Sequence, residues 1–576
     1  MKTITGIGVS PGISIGRAVV IKTSDLTAAR DERIAAADVE REITRFHDAV
    51  QATIGEMCAI QERVAETVGR QHGDILSLHL ALLRDKMLTG TTDAIIRDDQ
   101  LTAESALHRA LEKLAMLYQH SLRDFLQDRR RDVLDVFERL QFHLQGEAAA
   151  LPRMKAPVIV IAGDLSPSRT AALDKDAVTG FATDVGSKTS HTAIMARALQ
   201  VPAVVALGGI SKTAQDGDIV IIDGTAGEVI LKPPPAVIKK YRLRRETWVK
   251  EQKHLALLSK LPAQTTDGRK LSLHANIELP EEVATIRNYG AEGIGLYRTE
   301  FLYMNRTDIP SEEEQFQAYR KVAEAMGQRH VIIRTLDIGG DKFASSLQFP
   351  VEINPFLGWR AIRFCLQRRD IFEAQISAIF RAGLYGRLKI LIPMISTLDE
   401  VRETKNFIVH VKKKLNASRT RFEENVDFGI MVEVPSAAII SDRLAREVAF
   451  FSIGTNDLIQ YTVAVDRINE KITHLYQPCH PAVLFLIRKV IANADEAGIW
   501  TGLCGEMASI PEFAVLLLGM GISELSMASL SIPRVKDIIR KISYRFAAEV
   551  ALHALTLDTH DEVLSHLSTS LKKELS

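Results

Sequence analysis

The spacing of apolar and polar positions changes several times along the chain, and each change marks a stretch of different texture. Residues 4–9 and 17–21 are β-leaning runs on either side of Ser10-Pro11-Gly12, a strong turn signal. From residue 31 to residue 145 Gly is sparse, Pro is absent, and Ala, Leu, Glu and Arg dominate. Leu76, His79, Leu80 and Leu83 keep a helical spacing there, as do Leu107, Leu111, Leu114 and Tyr118. A helical block of this length predicts a bundle. At Pro157 the pattern turns to β/α: 158–161, 177–181, 203–205 and 219–222 read as buried strands separated by short helices, ending near Leu231. The opening β-runs are expected to pair with this unit, which makes the bundle an insertion. Lys232-Pro233-Pro234-Pro235 then forms a linker into a helix bearing Lys239, Lys240, Arg242, Arg244, Arg245, Lys250 and Lys253, a run that suits a solvated connector face.

Beyond Asp267-Gly268 eight strand-like runs follow, at 271–277, 293–298, 331–337, 389–395, 429–433, 450–457, 501–506 and 524–527. Helical stretches such as 312–326, 359–369 and 398–415 separate them. Eight alternating β/α units over ~300 residues predict a (β/α)8 TIM barrel. The fold class is therefore multidomain α/β, an α/β unit with an inserted helical bundle followed by the barrel.

Composition narrows the function without naming it. At roughly 150 residues per domain, 576 residues suggest three to four domains. The 72 Lys+Arg and 72 Asp+Glu cancel, which argues against a general nucleic-acid binder. No opening signal peptide is expected, and the best apolar run, 513–518, is too short to span a bilayer. Four cysteines without a C-x-x-C pair suit a reducing cytoplasm and exclude a zinc ribbon. Neutrality is only an average, because residues 31–147 carry 22 acidic and 15 basic side chains, a net charge of −7.

Ionisable residues cluster at the ends of the barrel runs. The second ends in Tyr297-Arg298-Thr299-Glu300, the third in Arg334-Thr335-Leu336-Asp337, the fifth on Glu433, the sixth on Asn456-Asp457 and the seventh on Cys504-Gly505-Glu506. In a barrel these side chains converge on the carboxyl-end face, where active sites of this fold lie. Arginines there can grip phosphate and carboxylate, and a hard cation takes one or two carboxylates plus substrate oxygens. The site reads as one for a small, multiply anionic substrate with a divalent cation. A second candidate is His191, in Thr189-Ser190-His191-Thr192, after a Gly186-Ser187 turn and before a helical run. Thr189 or Ser190 suits an N-cap, the helix dipole favours a neutral, nucleophilic imidazole, and the free N–H groups can hold an attached phosphoryl group.

With these residues the sequence resembles the phosphoenolpyruvate–protein phosphotransferases, enzyme I of the bacterial sugar phosphotransferase system. The resemblance runs from Gly6-Ile7-Gly8-Val9-Ser10-Pro11-Gly12 almost to the C-terminus. Thr189-Ser190-His191-Thr192-Ala193-Ile194-Met195-Ala196-Arg197 is similar to the family's phosphohistidine signature. Gly290-Ala291-Glu292-Gly293-Ile294-Gly295-Leu296-Tyr297-Arg298-Thr299-Glu300-Phe301, Asp337-Ile338-Gly339-Gly340-Asp341-Lys342 and Asn354-Pro355-Phe356-Leu357-Gly358-Trp359-Arg360 resemble its barrel motifs. So do Phe451-Ser452-Ile453-Gly454-Thr455-Asn456-Asp457-Leu458 and Gly502-Leu503-Cys504-Gly505-Glu506.

The resemblance implies that His191 accepts the phosphoryl group of phosphoenolpyruvate and passes it to a histidine of the carrier protein HPr, releasing pyruvate. It implies that Arg298, Arg334, Arg360 and Arg467 hold phosphate and carboxylate with support from Asn456, and that Lys342 lies at the same face. Glu433 and Asp457 would ligate Mg2+, Cys504 would protonate the enolate carbon, and Thr170 would orient the active histidine. The implied domains are a swivelling phosphohistidine domain (1–30 and 147–231), an HPr-binding bundle (31–146), a linker helix (232–261) and a phosphoenolpyruvate-binding barrel (262–576) that forms a homodimer. Two departures stand out: Gly186-Ser187-Lys188 replaces the common Gly-Gly-Arg, and Arg84 stands where an acidic residue is common beside His79, Leu82, Leu83 and Asp85. One histidine cannot serve the barrel and a carrier on the bundle at once, so hinge motion about 233–253 is expected. The alternatives are a regulatory phospho-relay paralogue with another carrier, or a dikinase or synthase relative, which the lack of a nucleotide-binding glycine loop disfavours.

Overall fold

The computed structural model describes residues 1–21, 31–68, 79–80, 82–118, 135–137, 139–145, 157–165, 177–187, 190–199, 201–304, 306, 308–339, 352–467, 469 and 471–576. Two compact units divide the chain, residues 1–251 and 252–576.

In the first unit, β1 (Lys2–Thr5), β2 (Ile7–Ser10), β3 (Ile13–Ile21), β4 (Val158–Ala162), β5 (Val178–Thr183), β6 (Ala203–Val205), β7 (Ile219–Asp223) and β8 (Glu228–Leu231) form one sheet in the order β1-β8-β7-β3-β4-β5-β6-β2. The run at 4–9, expected as one strand, is split at Gly6, and its halves lie on opposite edges, β1 against β8 and β2 against β6. A sheet whose edge strands are joined by one residue must curl until its edges meet. Gly6 permits this: a Cβ there would stand 2.4 Å from the Val205 carbonyl oxygen. Between β3 and β4 lie the helices Val39–Val68, Lys86–Asp99 and Ala103–Tyr118, packed on Phe46, Ile96, Leu107 and Leu140. Because β3 and β4 are parallel neighbours, this helical stretch makes the crossover that a hairpin cannot. The basic connector run forms the helix Pro235–Leu258.

The second unit is a closed barrel of β9 (Ser272–Ile277), β10 (Ile294–Tyr297), β11 (Val331–Arg334), β12 (Leu388–Ile392), β13 (Asp427–Val432), β14 (Phe450–Ile453), β15 (Trp500–Leu503) and β16 (Glu524–Met527). All neighbours are parallel, and β16 closes on β9. The helix Glu312–Met326 begins with a Ser311/Glu314 capping box, and Leu398–Ala417 with Thr397/Glu400. The expected helix at 359–369 is instead Ala361–Gln367, with Arg360 extended at its N-cap, followed by Arg369–Ala382. Arg368, at φ −94° and ψ 65°, breaks the helical path.

One buried amide ties the strand ends that carry the site. Gln375 accepts the Leu336 N–H at 2.9 Å and donates to Thr299 Oγ1 and Tyr319 Oη, both at 3.1 Å. Thr299 in turn donates to the Arg334 carbonyl at 2.9 Å. Replacing Gln375 by Leu strands a buried N–H between Arg334 and Asp337, which costs about 1–3 kcal/mol. A lower urea midpoint for the barrel transition of the full chain is the expected outcome.

Candidate active site

The carboxyl ends of the barrel strands bring the predicted ionisable residues together. Arg334, the last residue of β11, is buried between Glu300, which accepts its Nη2, and Asp337, whose Oδ2 lies 2.9 Å from its Nη1. Arg360 arrives from the helix start beyond β11. Its Nη2 donates to Asp337 Oδ1 at 2.8 Å and to Asp457 Oδ2 at 3.4 Å, and its Nη1 to Tyr461 Oη at 3.3 Å. Gly339, at φ +127°, lets the chain pass: a Cβ there would lie 2.4 Å from Arg360 Cβ. Burial opposes both charges, yet Glu300 and Asp337 hold Arg334, and Asp337 and Asp457 hold Arg360, above the usual arginine range.

Arg298 follows β10 and donates to Glu278 at 2.5 Å. The Nε atoms of Arg298 and Arg334 are buried and, among the described residues, have no hydrogen-bond partner. Unused guanidinium donors of this kind fit an oxyanion. Arg467 Nη1 lies 3.4 Å from Asp457 Oδ1. Asn456 exchanges hydrogen bonds with Glu506, accepting its N–H at 3.0 Å and donating to its carboxylate at 3.3 Å.

Glu433 and Asp457 are both buried, and Glu433 Oε1 accepts the Met394 N–H at 2.7 Å. Burial, with repulsion from Asp457 and Asp337, pushes Glu433 up to about 8. Two crowded carboxylates of this sort match the oxygen donors of a hard divalent cation, which would relieve their repulsion. Cys504, just after β15, accepts from Ser452 Oγ at 3.4 Å, and its carbonyl accepts Asn276 Nδ2 at 3.1 Å. Burial pushes its thiol up to about 11, so it holds its proton at neutral pH. The mouth can thus neutralise an anion, hold a cation and supply a proton.

His191 opens the eight-residue helix His191–Ala198, capped by Ser190, whose Oγ accepts the Ala193 N–H at 3.4 Å. The turn before it uses Gly186 at φ +139°. The His191 side chain, Thr170, Lys188 and Lys342 lie outside the described residues. On the bundle, His79 and Leu83 are buried, and Asp85 caps the helix Lys86–Asp99 by accepting the Met87 N–H at 2.8 Å. These three belong to the bundle's own packing, while Arg84 is exposed.

Sequence reasoning placed Glu300 and Asp337 at strand ends but gave neither a role. It gave no role to Gln375, Tyr461, Ser452 or Asn276. Only the strand alternation of Asn276 and Ser452 carried any signal, because their partners are distant in sequence. Among the described residues no helix is long and apolar enough to cross a membrane.

Residues 252–544 match the PEP-utilising enzyme, PEP-binding domain; 5–129 match the N-terminal domain of the same enzymes, and 154–227 their mobile domain. The phosphoenolpyruvate-protein phosphotransferase of Bacillus sp. (strain S) is 43% identical over 98% of this chain and 97% of its own length. That of Geobacillus stearothermophilus is also 43% identical, with the same coverage. The Bacillus subtilis (strain 168) protein of that name is 41% identical over 99% of this chain and all of its own. With three consecutive domains matched and relatives this similar from end to end, the chain belongs to the phosphoenolpyruvate–protein phosphotransferase family of PEP-utilising enzymes.

Proposed function

We propose that the chain takes the phosphoryl group of phosphoenolpyruvate onto His191 and passes it to a histidine of the carrier HPr, releasing pyruvate, as the first step of sugar uptake. The observation that carries this reading is the joint presence of buried arginines, paired carboxylates and a protonated thiol at one barrel mouth. Arg298, Arg334, Arg360 and Arg467 hold the substrate's phosphate and carboxylate, Asn456 supports them, and Lys342 acts with them. Glu433 and Asp457 hold Mg2+, which when bound supplies positive charge against the phosphoryl oxygens.

The His191 nitrogen attacks phosphorus, the bond from phosphorus to the enol oxygen breaks, and its electron pair stays on oxygen as the pyruvate enolate. Cys504 then gives its proton to the enolate's methylene carbon and recovers one from water. Thr170 orients His191, and the N–H groups of the helix start hold the phosphorylated ring. Domain boundaries at 1–30 with 147–231, 31–146, 232–261 and 262–576 suit this division of labour, with motion about the linker helix between the two transfers. The family resemblance supports a cytoplasmic homodimer joined through the barrel. The charge of −7 over residues 31–147 suits a carrier with basic residues around its histidine.

Incubation with labelled phosphoenolpyruvate and Mg2+ is expected to label His191, and the His191→Ala chain is expected to stay unlabelled. Label on the wild type that never reaches HPr would favour the regulatory relay, and no label at all would overturn the proposal. Loss of a general acid costs roughly 10²–10⁴-fold in rate. The Cys504→Ala chain is therefore expected to slow pyruvate formation by that order in single-turnover assays, while phosphoenolpyruvate affinity changes only a few-fold.

A further inference from the structure

A second cluster of chemically active side chains lies at the opposite end of the barrel, away from the mouth. His274 is the third residue of β9, His330 immediately precedes β11, and Glu524 is the first residue of β16. His274 Nδ1 lies 3.0 Å from Glu524 Oε1, His330 Nε2 lies 3.1 Å from Glu524 Oε2, and the two ring nitrogens are 3.1 Å apart. One ligand atom from each residue falls within 4.8 Å of the other two. His274 and Glu524 are buried, and His330 is partly open to solvent beside Trp500, with ring centroids 6.1 Å apart.

Protons alone cannot satisfy this triangle. If both nitrogens donate to Glu524, the 3.1 Å nitrogen–nitrogen contact is left between two donors; if one is bare to accept from the other, it faces the carboxylate as a second acceptor. A cation that takes a lone pair from each of the three residues removes that conflict. The two ring nitrogens lie close to the ~3.3 Å expected between tetrahedral ligands about 2.0–2.1 Å from a zinc-class ion, and Glu524 turns one carboxylate oxygen to each of them. The neighbouring strands keep the space open. A Cβ on Gly295 would stand 2.6 Å from Glu524 Oε1, one on Gly293 would stand 3.2 Å from His274 Nε2, and one on Gly502 would stand 3.6 Å from Glu524 Oε1.

We propose that His274, His330 and Glu524 form a binding site for one borderline divalent transition metal of the Zn2+ class, separate from the carboxylate pair at the mouth. Two imidazoles and one carboxylate favour such an ion over Mg2+. The ion bridges β16 and β9, whose pairing closes the barrel, and reaches past β10 to the residue leading into β11. It therefore pins the seam of the barrel rather than taking part in phosphoryl transfer.

The test is a Zn2+ titration of the metal-stripped full chain against a chromogenic chelator, with Mg2+ in excess to occupy the mouth carboxylates. One equivalent of Zn2+ is expected, together with a rise in Tm. His330→Ala, chosen because its side chain is partly exposed, should weaken binding roughly 100-fold or more and abolish the Tm rise. Glu524→Gln serves as a second variant, with circular dichroism as the check on folding. Co2+ added to the wild type should give the intense visible bands of a tetrahedral nitrogen and oxygen site. Absence of stoichiometric Zn2+ binding, or equal affinity in His330→Ala, would overturn the proposal; absence of the Co2+ bands would do so if neither variant folds.

Discussion

At the barrel mouth two guanidinium groups are buried within reach of one carboxylate, and the arrangement of everything around them follows from how Asp337 divides itself. Its Oδ1 takes Arg360 at 2.8 Å and its Oδ2 takes Arg334 at 2.9 Å. An unpaired buried cation costs several kcal/mol, so neither arginine could stand there alone. Complete pairing would defeat the site, because an arginine with every donor engaged has nothing to offer a ligand. The structure falls between these limits, with Glu300 and Asp457 taking further donors and the Nε atoms of Arg298 and Arg334 left without partners among the described residues. The same crowding raises Glu433 and leaves a pair of carboxylates whose repulsion a cation would relieve.

The strands of this barrel were legible because each is short, apolar and bounded by a polar residue. Run 524–527 coincides with β16, and 293–298 contains β10 together with the arginine that follows it. The strand ends were legible for the same reason, since an ionisable residue at the end of a buried strand has few places to go except the mouth. What escaped was pairing across distance. Gln375 is buried because Thr299, Tyr319 and Leu336 need it, and only Leu336 lies within 40 residues. The break at Gly6 escaped because it depends on Val205, about 200 residues away, and not on any local preference. The bend at Arg360 escaped because the helical composition of 359–369 continues through a position that the mouth requires to be extended.

Topology explains why the helices Val39–Val68, Lys86–Asp99 and Ala103–Tyr118 come between two neighbouring strands of a sheet. Joining parallel neighbours requires a crossover, and β3 and β4 leave that connection free to grow without disturbing their register, Arg17 opposite Val158 through Ile21 opposite Ala162. The first unit can therefore carry a helical bundle and a histidine at a helix start on the same sheet. His79, Leu83 and Asp85 serve the bundle's own packing and capping. Arg84 is exposed among them, and under the proposed transfer it is the residue whose charge a carrier docked there would meet.

The two ends of the barrel divide their chemistry by donor type. At the mouth, carboxylates and guanidinium groups are hard and charged, the donor set that the proposed function gives to a phosphorylated anion and a hard cation. At the other end, two imidazoles and a carboxylate form a softer set that Mg2+ has little reason to enter. The separation follows from the strands themselves. Residues 330 and 334 bracket β11, so His330 and Arg334 lie at opposite ends of one strand of four residues. Between them the apolar layer of Leu296, Ile332, Leu391, Met431 and Phe450 keeps the two sets of charges apart. A metal held by His274, His330 and Glu524 could therefore tighten the barrel without altering the charge balance that Asp337 sets at the mouth.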